Sequence, residues 1–231
     1  MRKCVLIGGY SKSNDIDDIP NIIDQRIVEL TKKEKPVFLF VGLASSHSDS
    51  QYDKMKKIYQ KLNCTTVYLK KNNLIHNPDL VKEKIKQADI IYIGGGDSIK
   101  LASRIDEFGL EILLREAYDR GCVLVGVSAG AILLSEEGFS DSNILRGESE
   151  DFLFVKGMGF VKTTICPHYG EDKKRICQLK ESIKNTKTKV YGISNDASLV
   201  IVNDQIEVIS FNRGKVFQIS YDDTYKESKV K

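Results

Sequence analysis

Gly121-Cys122-Val123-Leu124-Val125-Gly126-Val127-Ser128-Ala129-Gly130-Ala131-Ile132-Leu133-Leu134 is the stretch from which the fold is read. It begins as a continuous apolar run rich in valine, the pattern of a strand covered on both faces, and ends as the apolar start of a helix. Between the two lies a G-x-S-x-G turn with Ser128 at its bend. In such an elbow the flanking glycines, Gly126 and Gly130, remove Cβ atoms where strand and helix nearly collide, so the serine hydroxyl stands at the carboxyl edge of the sheet. The N–H of Ala129 then points the same way, toward the helix N-terminus, where developing negative charge is stabilised. Read as architecture alone, the stretch is a tight strand-to-helix turn that contains a serine.

Upstream of the elbow, short β-branched runs alternate with helical patterns. Residues 3–9, 36–42, 65–69, 89–94 and 122–127 read as strands, and the segments near 19–33, 49–62, 79–87 and 98–119 as amphipathic helices. That alternation is the signature of parallel strands joined by crossover helices. After the elbow helix the pattern changes to closely spaced strands at 160–166, 190–193, 198–203, 205–209 and 215–219, with one helix near 172–184. The expectation is an α/β fold: a three-layer, doubly wound, mostly parallel sheet finished by C-terminal hairpin strands. With no repeat, low-complexity segment or Pro/Gly linker, residues 1–231 read as a single domain.

The charges are balanced, 35 basic against 32 acidic residues for a net +3, which points away from nucleic acid and membrane surfaces. The Lys-rich end from Lys226 to Lys231 reads as a solvated tail. The apolar run at the start is too short for a secretory signal, and no stretch approaches the length of a membrane helix, so the expected location is cytosolic. Five cysteines without a C-x-x-C pair read as buried free thiols. The three histidines, His47, His76 and His168, are far apart in sequence, so no metal is expected.

Strand ends gather ligands in open α/β sheets, and one such end carries Ile93-Gly94-Gly95-Gly96-Asp97-Ser98. The triple glycine lacks the spacing and the Lys-Ser/Thr of a phosphate cradle, and no cofactor is expected. Gly95 or Gly96 instead lets a backbone N–H approach a bound carbonyl as the second donor of an oxyanion hole opposite Ala129. The structural alternative is a turn whose Asp97 caps the next helix. A nucleophilic Ser128 needs a base, and His168, in Cys166-Pro167-His168-Tyr169-Gly170 at the end of an apolar strand, is the histidine downstream of it. His47 is the rival. A partner for the imidazole is sought in Gly192-Ile193-Ser194-Asn195-Asp196, where neighbours on an extended chain face opposite ways, so either Asn195 or Asp196 reaches it.

Taken together, Ile93-Gly94-Gly95-Gly96, Gly126-Val127-Ser128-Ala129-Gly130, Pro167-His168-Tyr169, and Gly192-Ile193 with Ser198-Leu199 resemble, in order, the motifs of the dipeptidase E and cyanophycinase family of serine peptidases. The fold of that family is similar to the class I glutamine amidotransferases. The resemblance implies Ser128 as nucleophile, His168 as base, and Ala129 with a glycine of the triple run as oxyanion hole. It also implies cleavage of a short peptide next to an N-terminal aspartate through an acyl-enzyme, with Lys173 or Arg175 holding the acidic side chain; a homodimer is left open. One departure stands out. Where the family commonly has a glutamate, three residues after Gly192, this chain has Asn195, which implies that Asn195 rather than Asp196 faces His168. An amide orients an imidazole but does not stabilise an imidazolium as a carboxylate does. If neither Asn195 nor Asp196 supports His168, the alternative expectation is a catalytically weak relative that binds an acidic peptide or amino acid without turnover.

Overall fold

Alternation along the first strand decides where its side chains go: Val5 and Ile7 pack on one face of a sheet, and Cys4 and Leu6 on the other, all fully buried. The computed structural model describes residues 1–11, 19–184, 186 and 188–230. Its first half runs β1 (Lys3–Ile7), α1 (Ile22–Thr31), β2 (Val37–Val41), α2 (Ser48–Lys61), β3 (Thr65–Leu69), α3 (Lys71–His76), α4 (Pro78–Gln87), β4 (Ile90–Ile93), α5 (Ser98–Glu107), α6 (Leu110–Arg120), β5 (Val123–Val127) and α7 (Ala129–Leu134). β1, β5, β4, β2 and β3 pair in parallel in that order. Residues of α1 and α2, among them Ile23, Ile27, Met55 and Tyr59, cover one face. Residues of α4 to α7, among them Ile85, Leu101, Leu114 and Ile132, cover the other. Burial on both faces accounts for the continuous apolar sequence of β5.

The helix expected over 98–119 is two helices. Gly109 takes φ +59, between α5 and α6, and a left-handed residue ends a helix and redirects the chain.

The second half runs β6 (Glu137–Ser140), α8 (Ser142–Arg146), β7 (Leu153–Lys156), β8 (Thr164–Pro167), α9 (Lys173–Ile183), β9 (Val190–Ile193), β10 (Ala197–Val202), β11 (Gln205–Ser210), β12 (Val216–Asp222) and β13 (Thr224–Lys229). The mixed α/β fold is as expected, but these strands do not all finish one sheet. β10 and β11 extend the first sheet antiparallel beside β1, giving seven strands, whereas β13, β12, β9, β8, β6 and β7 form a second sheet of six. The division follows from α7, a six-residue helix that ends at Leu134 and delivers the chain to β6 away from the first sheet. β6 and β7 are four residues each, too short to show a period in the sequence. The strand expected from 160 begins at Thr164, because Phe160 and Val161 pack into the core as loop residues.

Two further expectations change. The Lys-rich end is not a free tail: residues 226–229 lie in β13, paired antiparallel with β12, while their charged side chains remain exposed. Lys231 lies outside the described residues. Four of the five cysteines are buried and free, but Cys177 is exposed on α9. Among the described residues no helix is long and apolar enough to cross a membrane.

α7 lies so close to the first sheet that a Cβ on Gly130 would stand 2.2 Å from the Ile93 carbonyl oxygen. Helix propensity alone favours alanine there by about 1 kcal/mol, but overpacking against fixed backbone costs roughly 1–3 kcal/mol or more. Gly130→Ala is therefore expected to lower the melting temperature by about 4–8 °C, taking ~2 kcal/mol net for a chain of this size. A melting temperature unchanged or raised in thermal unfolding would show that the contact relaxes freely.

Candidate active site

The elbow puts Ser128 between the last residue of β5 and the first of α7, with φ +52 and ψ −109. A non-glycine residue held there stores strain on the order of 1–3 kcal/mol. The surrounding backbone maintains it: Ser128 N–H donates to Ile7 O at 3.0 Å, and Ile132 N–H donates to Ser128 O at 3.0 Å. Both flanking glycines are sterically required, since a Cβ on Gly126 would stand 2.2 Å from Gly130 O.

His168 follows the last residue of β8 and is also left-handed, at φ +54. Its N–H donates to Gly8 O at 3.2 Å. The ring reaches Ser128, with Nε2 2.8 Å from Oγ, and Asn195, with Nδ1 2.8 Å from Oδ1. An amide oxygen only accepts, so Nδ1–H donates to it, which leaves Nε2 unprotonated to accept from the serine hydroxyl. Burial holds the imidazole below the ordinary histidine range, and the bond to Asn195 offsets part of that shift. The neutral, proton-accepting form is thus the favoured one.

Asp196 faces elsewhere. At φ +61 and buried, it accepts from Ser11 N at 3.0 Å and from Asn212 Nδ2 at 3.3 Å, tying three loops together. Gly95 lies against the serine, where a Cβ would meet Ser128 Cβ at 3.4 Å. Gly96, at φ +143, is wedged against Ala44, whose carbonyl oxygen a Cβ would approach to 2.5 Å. Asp97 caps α5, accepting from Ile99 N and Lys100 N, so the triple glycine both starts a helix and borders the serine.

Neither cation expected to hold a substrate carboxylate lines the cleft beside Ser128. Lys173 is exposed at the start of α9. Arg175 is buried and committed, 3.0 Å from the Asp141 carboxylate and 4.4 Å over the Phe152 ring. Its place at the third position of an amphipathic helix turns it toward the core. His47 is exposed at the N-cap of α2, its Nδ1 3.4 Å from Ser46 Oγ.

Three residues that matter here had no sequence signal strong enough to single them out. Gly9 packs flat on the relay: a Cβ would stand 2.3 Å from Asn195 Oδ1 and 2.5 Å from His168 Nδ1. The Gly8-Gly9 pair at the end of the first strand was the available clue. Gln51, on α2, donates from Nε2 to Gly95 O at 3.4 Å. Lys54, one helical turn on, is a cation bordering the cleft, a cavity of about 340 Å³ that Ser128 and His168 also line. Among the described residues no group of three His, Cys, Asp or Glu side chains has metal-holding geometry.

Residues 5–209 match peptidase family S51. The chain is 32% identical over 209 residues to the uncharacterized peptidase YgaJ of Bacillus subtilis (strain 168), which spans 89% of this chain and 86% of that one. It is 25% identical over 153 residues to the peptidase E of Shewanella denitrificans, 62% of this chain and 63% of that one. The fold is similar to that of a putative peptidase E protein from Listeria monocytogenes EGD-e, with TM-score 0.67 and 17% identity over 92% of this chain and all (100%) of that one. A peptidase from an acI-B1 Actinobacterium superposes with TM-score 0.67 at 20% identity, over 99% of this chain and 97% of that one. Since the matched residues run from β1 through the elbow, the histidine turn and Asn195 into β11, the chain is a peptidase and belongs to peptidase family S51.

Proposed function

We propose that this peptidase is a cytosolic serine enzyme of dipeptidase E type, which hydrolyses short peptides next to an N-terminal aspartate through an acyl-enzyme. The observation that carries the reading is the relay Ser128–His168–Asn195, closed by two hydrogen bonds of 2.8 Å between residues on three separate strand ends. Ser128 Oγ attacks the scissile carbonyl while His168 Nε2 takes its proton. The N–H of Ala129 and that of Gly95 or Gly96 receive the developing oxyanion. His168 then returns the proton to the leaving amine, and a water deprotonated by the same nitrogen releases the acyl group. Asn195 fixes the ring and its tautomer but contributes no negative charge to the imidazolium.

That amide favours a second reading, in which the site binds an acidic peptide or amino acid without turnover. A serine-directed phosphonate separates the two, since an activated Ser128 is labelled and an inert one is not.

Ser128→Ala is expected to abolish both labelling and hydrolysis while leaving the melting temperature nearly unchanged. His168→Ala is expected to cost a factor on the order of a thousand or more in kcat/KM, since base and nucleophile act as a unit, and His47→Ala little. Turnover at the wild-type rate in Ser128→Ala, or the reverse order for the two histidines, overturns the assignment.

Activity requires neutral His168, so kcat/KM falls as pH drops through its pKa. Burial lowers that pKa, which sets the acid limb of the pH–rate profile below the ordinary histidine value. In Asn195→Asp a carboxylate stabilises the imidazolium and raises the pKa, so the limb moves to higher pH while activity on the alkaline side is kept or increased. A limb that moves down, with the new carboxylate seen crystallographically at the imidazole, contradicts this.

Lys54 borders the cleft, which supports reading it as the residue that receives an acidic substrate side chain. An aspartyl anilide is expected to surpass its alanyl counterpart, and Lys54→Met to reduce kcat/KM for the aspartyl substrate alone by roughly 10- to 100-fold, the worth of a hydrogen bond to a charged group. Equal kcat/KM for the two substrates removes support for acidic specificity, and an equal loss on both removes Lys54 from that role.

A further inference from the structure

We infer that Glu227, through Tyr169 and Tyr225, is a positioning residue that holds the His168 turn in its reactive geometry; the inference rests on the serine-peptidase reading above. The need for such a device lies in the turn itself. His168 sits at φ +54, a conformation costing on the order of 1–3 kcal/mol, so the residues around it must hold it there. Tyr169, the next residue, supplies two anchors. Its N–H donates to Ile193 O at 3.1 Å, joining the turn to the strand that leads to Asn195. Its ring, 3% exposed, is fitted against Gly192, where a Cβ would stand 2.6 Å from Cγ, and beside Phe217 at 5.6 Å between centroids.

The far end of that ring is fixed from β13. Tyr169 Oη is 2.8 Å from Tyr225 Oη, and both phenols donate to Glu227 Oε2 at 2.6 Å. Two phenol hydrogens serve three oxygen contacts, and hydrogen bonds to a carboxylate are of the stronger kind. Burial first, and then the carboxylate, push both phenols well above the ordinary tyrosine range, so they remain donors. Lys180 of α9 lies 4.2 Å over the Tyr225 ring and braces it from the other side. Glu227 thus reaches across β12 and β9 to the end of β8. Tyr225 and Glu227 lie on β13, C-terminal to the residues 5–209 that match the family.

The test uses the full chain as Glu227→Ala, Glu227→Gln and Tyr169→Phe, followed by kcat and KM, the rate of phosphonate labelling of Ser128, and the imidazole ¹⁵N resonances. With three histidines in the chain, those resonances are assigned by single substitutions. Glu227→Ala and Tyr169→Phe are expected to lower kcat and the labelling rate together by roughly tenfold or more, with KM within about twofold, as for loss of alignment rather than of binding. The His168 Nδ1–H resonance should shift in both, and Glu227→Gln, whose amide oxygen still accepts, should restore most of the rate. Unchanged kcat, labelling and imidazole resonances in both variants overturn the proposal. If Glu227→Ala does not fold, Tyr169→Phe, which removes one hydroxyl, decides. If the wild-type protein is neither active nor labelled, the peptidase reading fails and the resonances alone judge the clamp: shifted in Tyr169→Phe they support it, unshifted they overturn it.

Discussion

The closeness of α7 to the first sheet is the constraint on which the rest of the structure depends. The backbone of Gly130 lies against the Ile93 carbonyl, and that of Gly126 against Gly130. No side chain fits in either place, and the approach leaves Ser128 in a backbone region that a non-glycine residue adopts only when its surroundings compel it. Ser128 N–H is spent on Ile7 O, so the serine is bonded to β1 as well as to its own strand. The direction of the Ser128 Cα–Cβ bond is therefore set by main-chain contacts, and the hydroxyl is held by His168 Nε2 at 2.8 Å.

That arrival depends on two sheets meeting. Ser128 ends a strand of the first sheet, His168 ends a strand of the second, and Asn195 lies where the chain crosses from β9 in the second to β10 in the first. The Gly8-Gly9 pair, just past β1, stitches the three together. Gly8 O accepts from His168 N–H, Gly9 O accepts from Asp196 N–H, and Gly8 N–H donates to Ala197 O. Absence of a Cβ at Gly9 brings this strap within contact of the His168–Asn195 bond itself. Asp196, although charged and adjacent to the relay, serves the same junction, holding Ser11 and Asn212.

This division explains what could be read from the sequence. The elbow and the histidine turn were legible because each depends on local spacing within one segment, whereas spacing alone left Asn195 and Asp196 open and only the family resemblance pointed to Asn195, the residue that lies 2.8 Å from the imidazole. The parallel half was legible for the same reason, since strands buried on both faces leave continuous apolar runs. What escaped depends on contacts between distant segments. Nothing in Gly8-Gly9 tells which imidazole will lie on it, 168 − 9 = 159 residues away in sequence. The position of Lys54 at the cleft follows from the packing of α2 beside the glycine loop, and the commitment of Arg175 from Asp141 and Phe152 arriving on other elements. β6 and β7 were too short for periodicity, and β13 carries a charged outer face that reads as solvated although its backbone is paired.

The amide in the relay is best understood against that same geometry. A carboxylate at the Asn195 position would be an added charge beside a half-buried imidazole, at a junction that already buries Asp196 4% exposed. Like charges so close raise each other's cost of ionisation. With Asn195 the orienting bond is kept, and Asp196 is held apart from it by Ser11 N–H and Asn212 Nδ2. The consequence falls on the base. Under the proposed serine mechanism its imidazolium would receive no stabilising charge from the relay, so a proton taken from Ser128 would be held more weakly. In such a site ring alignment counts for more than charge: the serine, the imidazole and the amide must stay within hydrogen-bonding distance, and strained turns at Ser128 and His168 must be kept from relaxing.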